Sequence, residues 1–174
     1  MLNKSVLEAL NEQIKNEYFS SYKYLAMSAY CESINMRGFA SWLRKQSGEE
    51  LSHAMRLFDY VLDRGGKVTL HEIDKPAAKY KSLVEMFQQV LDHEMEVTGM
   101  INSLYELASS KNDHATAVEL QWFIQEQVEE EFAITEFTTH AAVSVGLVIS
   151  VGYTAWTSHA GYLAVAMLSG LPAW

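Results

Sequence analysis

Hydrophobic residues recur every three or four positions along most of the chain, which is the spacing of one face of an α-helix. The pattern predicts four long helices: about Ser5 to Ile34, Phe39 to Arg64, Ser82 to Ser110, and from near His114 onward. Only two prolines and nine glycines interrupt the 174 residues, which favours long helices. The sequence therefore predicts an all-α protein.

Polar residues mark the ends of these helices. Two Ser-x-x-Glu capping boxes, Ser5–Glu8 and Ser82–Glu85, predict where the first and third helices begin. Asp113 is the expected N-cap of the fourth helix, and Gly65-Gly66 should end the second. Inside the second helix, Gly48 costs about 1 kcal/mol relative to alanine. It either permits a close backbone approach or is a tolerated defect.

The connection between the second and third helices is long enough to decide the topology. It runs from Lys67 to Lys81, and fifteen extended residues span about 50 Å, whereas a helix of about 26 residues is roughly 39 Å long. The chain can therefore travel the length of the bundle and start the third helix parallel to the second. A short turn at Ser110–Asp113 brings the fourth helix back antiparallel. The prediction is a four-helix bundle with one long crossover.

The last part of the chain has a different composition. Phe137 to Trp174 contains no Asp, Glu, Lys or Arg, so we divide the chain into a bundle, 1–140, and an apolar C-terminal segment, 141–174. Three interpretations stay open: a short fifth helix near Trp156–Ser169, a segment altered by a frame change or by engineering, or a membrane span within Ala141–Leu171. The glycines and hydroxyls of the segment, and the lack of flanking positive charges, disfavour a membrane.

Charge and cysteine content narrow the classes of function. The formal net charge of −9 and the pI of about 5.1 argue against nucleic acid as a partner and favour cations. The single cysteine, Cys31, rules out an internal disulfide and is expected to be an apolar filler on a helix. No apolar run of signal-peptide length follows the N-terminus, so we expect a cytoplasmic protein.

The stretch Gly48–His53 carries the most informative motif. Glu50 and His53 are three residues apart and project from nearly the same face of the second helix. A carboxylate and an imidazole spaced E-x-x-H on a bundle helix form a ligand pair of di-iron carboxylate proteins. Taken alone, however, the same residues favour a solvated acidic face and an incidental histidine, because acids are common on helix surfaces.

Polar residues of the other helices favour the metal interpretation. Glu17, Glu50, Glu94 and Gln127 each lie near the midpoint of their own helix, and Gln127-x-x-Glu130 has the spacing of one helical turn. The midpoints of four packed helices converge at one level. Carboxylates crowded there need protons or a metal, and oxygen donors with one imidazole suit iron or manganese.

These motifs resemble those of the bacterial non-haem ferritins. The resemblance rests on Asn16–Tyr18, Ser47–Ala54, His93–Glu94 and Trp122–Glu131, and it covers about Met1 to Glu136. It implies the ferritin-like four-helix bundle and an iron-storing ferroxidase. Such a protein oxidises Fe²⁺ with O₂ or H₂O₂ and deposits ferric mineral inside a shell of twenty-four subunits. In that shell a fifth helix would pack at a four-fold axis.

The resemblance also implies roles for individual residues. Glu17, Glu50 and His53 would hold a first iron. Glu50, Glu94 and Glu130 would hold a second, with Glu50 bridging the two. These five residues would form the ferroxidase centre.

Further residues would act beside that centre, again by resemblance. Gln127 would be a polar neighbour, and Tyr24 would hydrogen-bond to the site and supply an electron. Four glutamates would form a nearby third iron site: Glu49, Glu126, Glu129 and Glu130. His71, His93 and His114 are expected at the surface.

Departures from other relatives sharpen the expectation. Bacterioferritins and rubrerythrins carry E-x-x-H on the fourth helix as well, whereas Gln127-x-x-Glu130 matches the storage ferritins and implies a centre that lets iron leave. Ser52 stands where bacterioferritins have the haem-binding methionine, so no haem is expected, and Met55 and the other methionines are assigned to the core.

Two other functions stay open at this point. One is a di-iron oxidase or peroxidase of the rubrerythrin type, which is disfavoured by the single E-x-x-H and by the lack of paired cysteines. The other is a non-storing helical assembly protein, which applies if the uncharged tail prevents closure of a shell.

Overall fold

The computed structural model of the chain describes residues 2–150, and the side chains of residues 2–135. It contains α1 (Lys4–Ser33), α2 (Arg37–Asp63), α3 (Leu83–Ser110) and α4 (His114–Ser150), and no strand occurs in this part of the chain. α1 packs along α2, α3 packs along α4, and α1 also contacts α3. The predicted all-α four-helix bundle is confirmed.

The connection between α2 and α3 crosses the bundle along α1. Near its start, Asn11 donates from Nδ2 to the carbonyl of Lys67 at 3.1 Å and accepts from the amide of Thr69 at 2.9 Å. Near its end, Tyr30 donates from Oη to the carbonyl of Tyr80 at 3.2 Å. Because Asn11 and Tyr30 lie toward opposite ends of α1, the connection spans the bundle lengthwise, as predicted.

Two of the three predicted N-caps are confirmed. Ser82 caps α3, with its Oγ accepting from the amide of Glu85 at 3.1 Å, and Asp113 caps α4 by accepting from a first-turn amide. The prediction for α1 was wrong. Asn3 is the cap, and its Oδ1 accepts from both the amide and the hydroxyl of Ser5, at 3.0 and 2.8 Å. The side-chain carbonyl of Asn3 satisfies the amide of Ser5, which is one of the free amides of the first turn, so the helix begins at Lys4 and not at Ser5.

The buried face of α2 differs from the apolar stripe that the spacing of its hydrophobic residues predicts, which consists of Trp42, Leu43, Leu51, Met55, Phe58 and Leu62. Leu43, Leu57 and Val61 are fully buried. Between Leu43 and Leu57, the polar side chains of Glu50 and His53 occupy the interior. Three apolar residues of the predicted stripe are at least 38% exposed: Leu51, Met55 and Leu62. Apolar periodicity predicts the wrong face here because the polar residues Glu50 and His53 take core positions. The core assignment of Met55 was therefore wrong.

The start and the middle of α2 also differ from expectation. α2 begins at Arg37 rather than Phe39, because Asn35 takes a left-handed conformation (φ 60°) and completes the reversal from α1 in fewer residues. A Cβ built on Gly48 would meet nothing within 4 Å. Close backbone approach does not explain this glycine within the described structure, which leaves the tolerated defect.

The interior consists of two apolar clusters separated by a polar level. One cluster includes Val6, Leu10, Ile14, Leu57, Val61, Val97, Ile101, Leu120 and Phe123. The other includes Met27, Cys31, Phe39, Leu43, Phe87, Val90 and Ile134, so Cys31 is buried as expected. Along every helix the predicted ligands lie between members of these two clusters. Glu50, for example, lies between Leu43 and Leu57. The fold therefore delivers all four helices' polar residues to one level.

α4 continues to Ser150 and so crosses the predicted division at residue 140. Over the described length of α4, Gln127 lies on the N-terminal side of the midpoint of the helix. The proposed fifth helix at Trp156–Ser169 lies outside the described residues, as does most of Ala141–Leu171. Among the helices that are described, none is long and apolar enough to cross a membrane.

Candidate metal centre

Two groups of ligand atoms meet at the polar level. Glu17, Glu50 and His53 form one group, and Glu50, Glu94 and Glu130 form the other. Within each group, one ligand atom from every residue lies within 4.8 Å of the others. The bundle thus brings together one acid from each of the four helices and the imidazole of α2, with Glu50 common to both groups.

The burial of these acids makes a cation the natural partner. Glu17, Glu50 and Glu94 are each 1% exposed. Glu50 Oε1 and Glu130 Oε2 are buried without a hydrogen-bond partner. A buried carboxylate oxygen without a partner is costly, so its persistence needs an explanation. A set of carboxylates with one imidazole fits iron or manganese better than a soft metal.

Burial and, after it, the crowding of like charges make the acids hold protons when no metal is bound. Burial, with the nearby charge of Glu94, raises the pKa of Glu50 from 4.5 to about 8. Burial and the charges of Glu50 and Glu94 raise the pKa of Glu130 to about 10. Burial and the charge of Glu50 likewise raise the pKa of Glu17 well above its usual value. A divalent cation would therefore replace protons at this level.

Hydrogen bonds from neighbouring side chains orient two of the acids. Tyr24 donates from Oη to Glu94 Oε1, while Gln127 donates from Nε2 to the carbonyl of Glu94 at 3.3 Å and faces its Oε2 at 3.5 Å. Gln13 donates from Nε2 to Glu17 Oε1 at 2.8 Å. Gln13 was missed by the sequence analysis. Its signal was its position four residues before Glu17, on the same face of α1.

Aromatic rings enclose the imidazole of the centre. His53 Nδ1 lies 3.7 Å from Glu50 Oε2. The imidazole meets Trp122 in an edge-to-face contact, with ring centroids 5.3 Å apart, and Phe123 at 6.0 Å. The guanidinium of Arg56 lies 3.9 Å from the centroid of Trp122. Arg56 was also missed, because its link to His53 runs through a residue of another helix.

Three of the glutamates expected to form a third iron site, Glu49, Glu126 and Glu129, do not belong to either ligand group. Glu49 forms an ion pair with Lys45 at 3.2 Å, and Glu129 is exposed and accepts from Gln125 at 3.4 Å. In the described part of the chain, Glu49, Glu126 and Glu129 neither join the two ligand groups nor form a group of their own. A third site stays a prediction from the resemblance.

One histidine lies where the sequence analysis did not place it. His93 was expected at the surface, but it is only 6% exposed, and its Nε2 lies 2.8 Å from Ser20 Oγ. Burial, together with the positive charge of Lys23, lowers the pKa of His93 from 6.5 to about 3. The neutral imidazole therefore belongs to the packing of α1 against α3, beside Glu94.

Comparisons with known proteins agree with this architecture. The sequence profile of the ferritin-like domain matches residues 7–142. A bacterial non-haem ferritin of Staphylococcus haemolyticus is 41% identical over 140 residues, covering 80% of this chain and 82% of the relative. The structure of an open-pore ferritin from the archaeon Archaeoglobus fulgidus aligns with a TM-score of 0.81 and 40% identity, over 82% of this chain and 88% of that chain. A Chlorobium tepidum ferritin aligns with a TM-score of 0.80 and 34% identity, over 82% and 88% respectively.

Proposed function

This chain belongs to the ferritin family, and we propose that it stores iron by oxidising Fe²⁺ to Fe³⁺ at the mid-bundle centre. One observation carries the proposal: Glu50 contributes to two groups of ligands, one with Glu17 and His53 and one with Glu94 and Glu130. Two cations that share a carboxylate lie close enough to react with one oxidant. Anionic ligands also stabilise Fe³⁺ more than Fe²⁺, which favours oxidation at this position.

The proposed reaction uses the metal ions as substrates. Two Fe²⁺ ions each lose one electron. One O₂ molecule takes both electrons and two protons to give H₂O₂, or one H₂O₂ molecule takes both electrons and two protons to give two waters. The carboxyl protons of the metal-free centre leave when Fe²⁺ binds. Fe³⁺ then hydrolyses to a ferric oxo mineral. Gln127 in place of a second histidine ligand favours onward movement of the oxidised iron.

The proposal includes a shell of twenty-four subunits in the cytoplasm. Large apolar side chains of α1 and α2 are exposed on the isolated subunit, and contact between copies would bury them. They include Tyr22, Leu25, Leu51 and Leu62, each exposed by 44% or more. The single thiol of the chain, Cys31, is buried and free, which accords with a reducing compartment.

The substitution Glu50→Ala tests the ferroxidase proposal, because it removes the shared ligand. We expect rapid Fe²⁺ oxidation, followed by stopped-flow absorbance, to fall by about 100-fold or more. Helical content by circular dichroism should be unchanged. Glu8→Ala is the matched control, since Glu8 is an exposed acid of α1 whose side chain is 67% exposed. An unchanged oxidation rate in Glu50→Ala would refute the shared-ligand role.

The storage proposal needs a separate measurement on the wild-type chain. Size-exclusion chromatography with light scattering should give a shell-sized particle that accumulates hundreds of irons under air. A dimer that holds only two irons per subunit would contradict iron storage. The remaining function would then be that of a di-iron oxidase.

A further inference from the structure

We propose that Thr98 and Glu131 are positioning residues, which hold the amide of Gln127 in the orientation that donates hydrogen bonds to Glu94. The inference rests on the proposed ferroxidase function, since Glu94 matters only as part of that centre. It adds a series of four hydrogen-bonded side chains, which leads from the metal centre to a partly exposed carboxylate across α3 and α4: Glu94, Gln127, Thr98 and Glu131.

The contacts form two facing pairs. Thr98 follows Glu94 by one turn on α3, and Glu131 follows Gln127 by one turn on α4, so each pair shares a helix face. Gln127 Nε2 lies 3.3 Å from Thr98 Oγ1 and 3.3 Å from the carbonyl of Glu94. Thr98 Oγ1 in turn donates to Glu131 Oε1 at 2.5 Å. Gln127 is only 4% exposed, so its amide must find partners inside the protein.

The outer contact sets the direction of the hydrogen bonds between these side chains. Thr98 donates its single hydroxyl hydrogen to Glu131 Oε1. Thr98 Oγ1 can then only accept from Gln127. The side of the amide that faces Thr98 and Glu94 must therefore be the nitrogen, which carries two hydrogens for these acceptors. The amide oxygen is turned away from both.

The hydroxyl of Thr98 departs from the usual behaviour of such a group on a helix. Inside helices, Ser and Thr commonly donate to the carbonyl four residues earlier. Ser103, on the same helix, does so and donates to the carbonyl of Gly99 at 2.8 Å. For Thr98 the corresponding carbonyl is that of Glu94, which receives the Gln127 amide instead. Thr98 thus gives its hydrogen across the helix interface to Glu131.

The orientation of Gln127 matters because Glu94 is held from two sides. Tyr24 donates to its Oε1, and Gln127 faces its Oε2 at 3.5 Å. A flipped Gln127 would present its amide oxygen to this carboxylate, and the repulsion would turn Glu94 away from Glu50 and Glu130. The carbonyl of Glu94 and the hydroxyl of Thr98 both accept from Gln127 Nε2, so loss of Thr98 or Glu131 removes one of the contacts that favour this orientation.

Thr98→Val tests the proposal, because valine keeps the shape and removes the hydroxyl. In an anaerobic titration of Fe²⁺ into the metal-free protein, we expect the affinity of the group containing Glu94 to fall by about 10-fold. The group containing His53 should keep its wild-type affinity. Glu131→Leu should reproduce the loss, Thr98→Ser should restore it, and Ser103→Ala is the matched control that changes neither affinity. A lowered melting temperature with both affinities unchanged would overturn the proposal.

A double-mutant cycle separates a role through Gln127 from a direct one. If Thr98 acts through the amide, Thr98→Val should change the Fe²⁺ affinity no further once Gln127→Ala is present. Fully additive effects would contradict the proposal. The ferroxidase function and the positioning role are refuted by different results. A wild-type chain that fails to bind two Fe²⁺ refutes the ferroxidase function. A wild-type chain that binds both, with Thr98→Val equal to it, refutes only the positioning role.

Discussion

The polar residues at the middle of the bundle differ from those at the end where α2 meets α4. At the end, Arg64 Nη2 lies 2.9 Å from Asp113 Oδ1, and Tyr60 Oη lies 3.0 Å from Thr116 Oγ1. We call these four residues the Arg64 network. It joins the last turn of α2 to the first turn of α4 through opposite charges. The mid-bundle centre instead gathers acids of one sign. Both places keep buried carboxylate oxygens without a hydrogen-bond partner, which are Glu50 Oε1 and Glu130 Oε2 at the centre and Asp113 Oδ2 in the network, so the sign of the neighbouring charges is what differs.

Under the proposed function, this difference separates charges that stabilise the fold from charges that bind a metal. An opposite pair compensates its own desolvation, and its loss should appear as lost stability. A crowd of like charges opposes folding unless protons or a cation neutralise it, so its value must come from what it binds. Substitutions at the two places should therefore change different observables, and three experiments test that contrast.

The largest expected effect is the pH dependence of the metal-free protein. Folding raises the pKa of Glu50 from 4.5 to about 8 and that of Glu130 to about 10, so the folded state keeps protons that the unfolded state has released. Their contribution to stability is complete below about pH 4.5 and is lost as the pH rises through 8 and 10. We expect the urea midpoint of chelator-treated protein to fall from pH 5 to pH 9.

Glu50→Gln is the control for this pH effect, because glutamine cannot ionise. It should flatten the decline, whereas Fe²⁺ added without oxygen should stabilise the wild type most at high pH. A stability that rises from pH 5 to pH 9 would contradict the account of the mid-bundle acids.

The next effect concerns the Arg64 network. Arg64→Ala leaves Asp113 without its opposite charge, and the Asp113 side chain is only 9% exposed. We expect the free energy of unfolding to fall by about 2 kcal/mol, with the rate of Fe²⁺ oxidation retained. Lys45→Ala breaks an exposed ion pair on the same helix and should cost less than about 1 kcal/mol. Loss of oxidation in a folded Arg64→Ala protein would show that the two networks are not separate.

The smallest effect tests whether the glycine beside the centre serves it. Because a Cβ at Gly48 meets nothing within 4 Å, Gly48→Ala should raise the free energy of unfolding by up to about 1 kcal/mol. Oxidation should stay at the wild-type rate. Chemical denaturation and stopped-flow oxidation check the two results. A destabilised variant would mean that another backbone or subunit approaches α2 at this position.

How far the sequence could predict the centre depends on the distance over which each feature acts. Glu50 and His53 were recognisable because a three-residue spacing fixes a shared helix face. The burial of His93 was not, since it depends on Ser20 of α1 approaching α3. The apolar stripe of α2 was misplaced for a related reason: Leu51 and Met55 have the right spacing, but Glu50 and His53 hold the interior positions.

The sequence by itself determined the four helices, the long crossover and the candidate ligands, because helical periodicity, capping and motif spacing depend on residues within one or two turns. Only the tertiary structure showed that the candidate ligands meet in the two groups that the resemblance implied. It alone showed that Glu130 keeps an oxygen without a hydrogen-bond partner, and that Thr98 Oγ1 contacts both Gln127 Nε2 and Glu131 Oε1. These relations depend on the packing of separate helices, where small shifts make or break a hydrogen bond and change the cost of a buried charge.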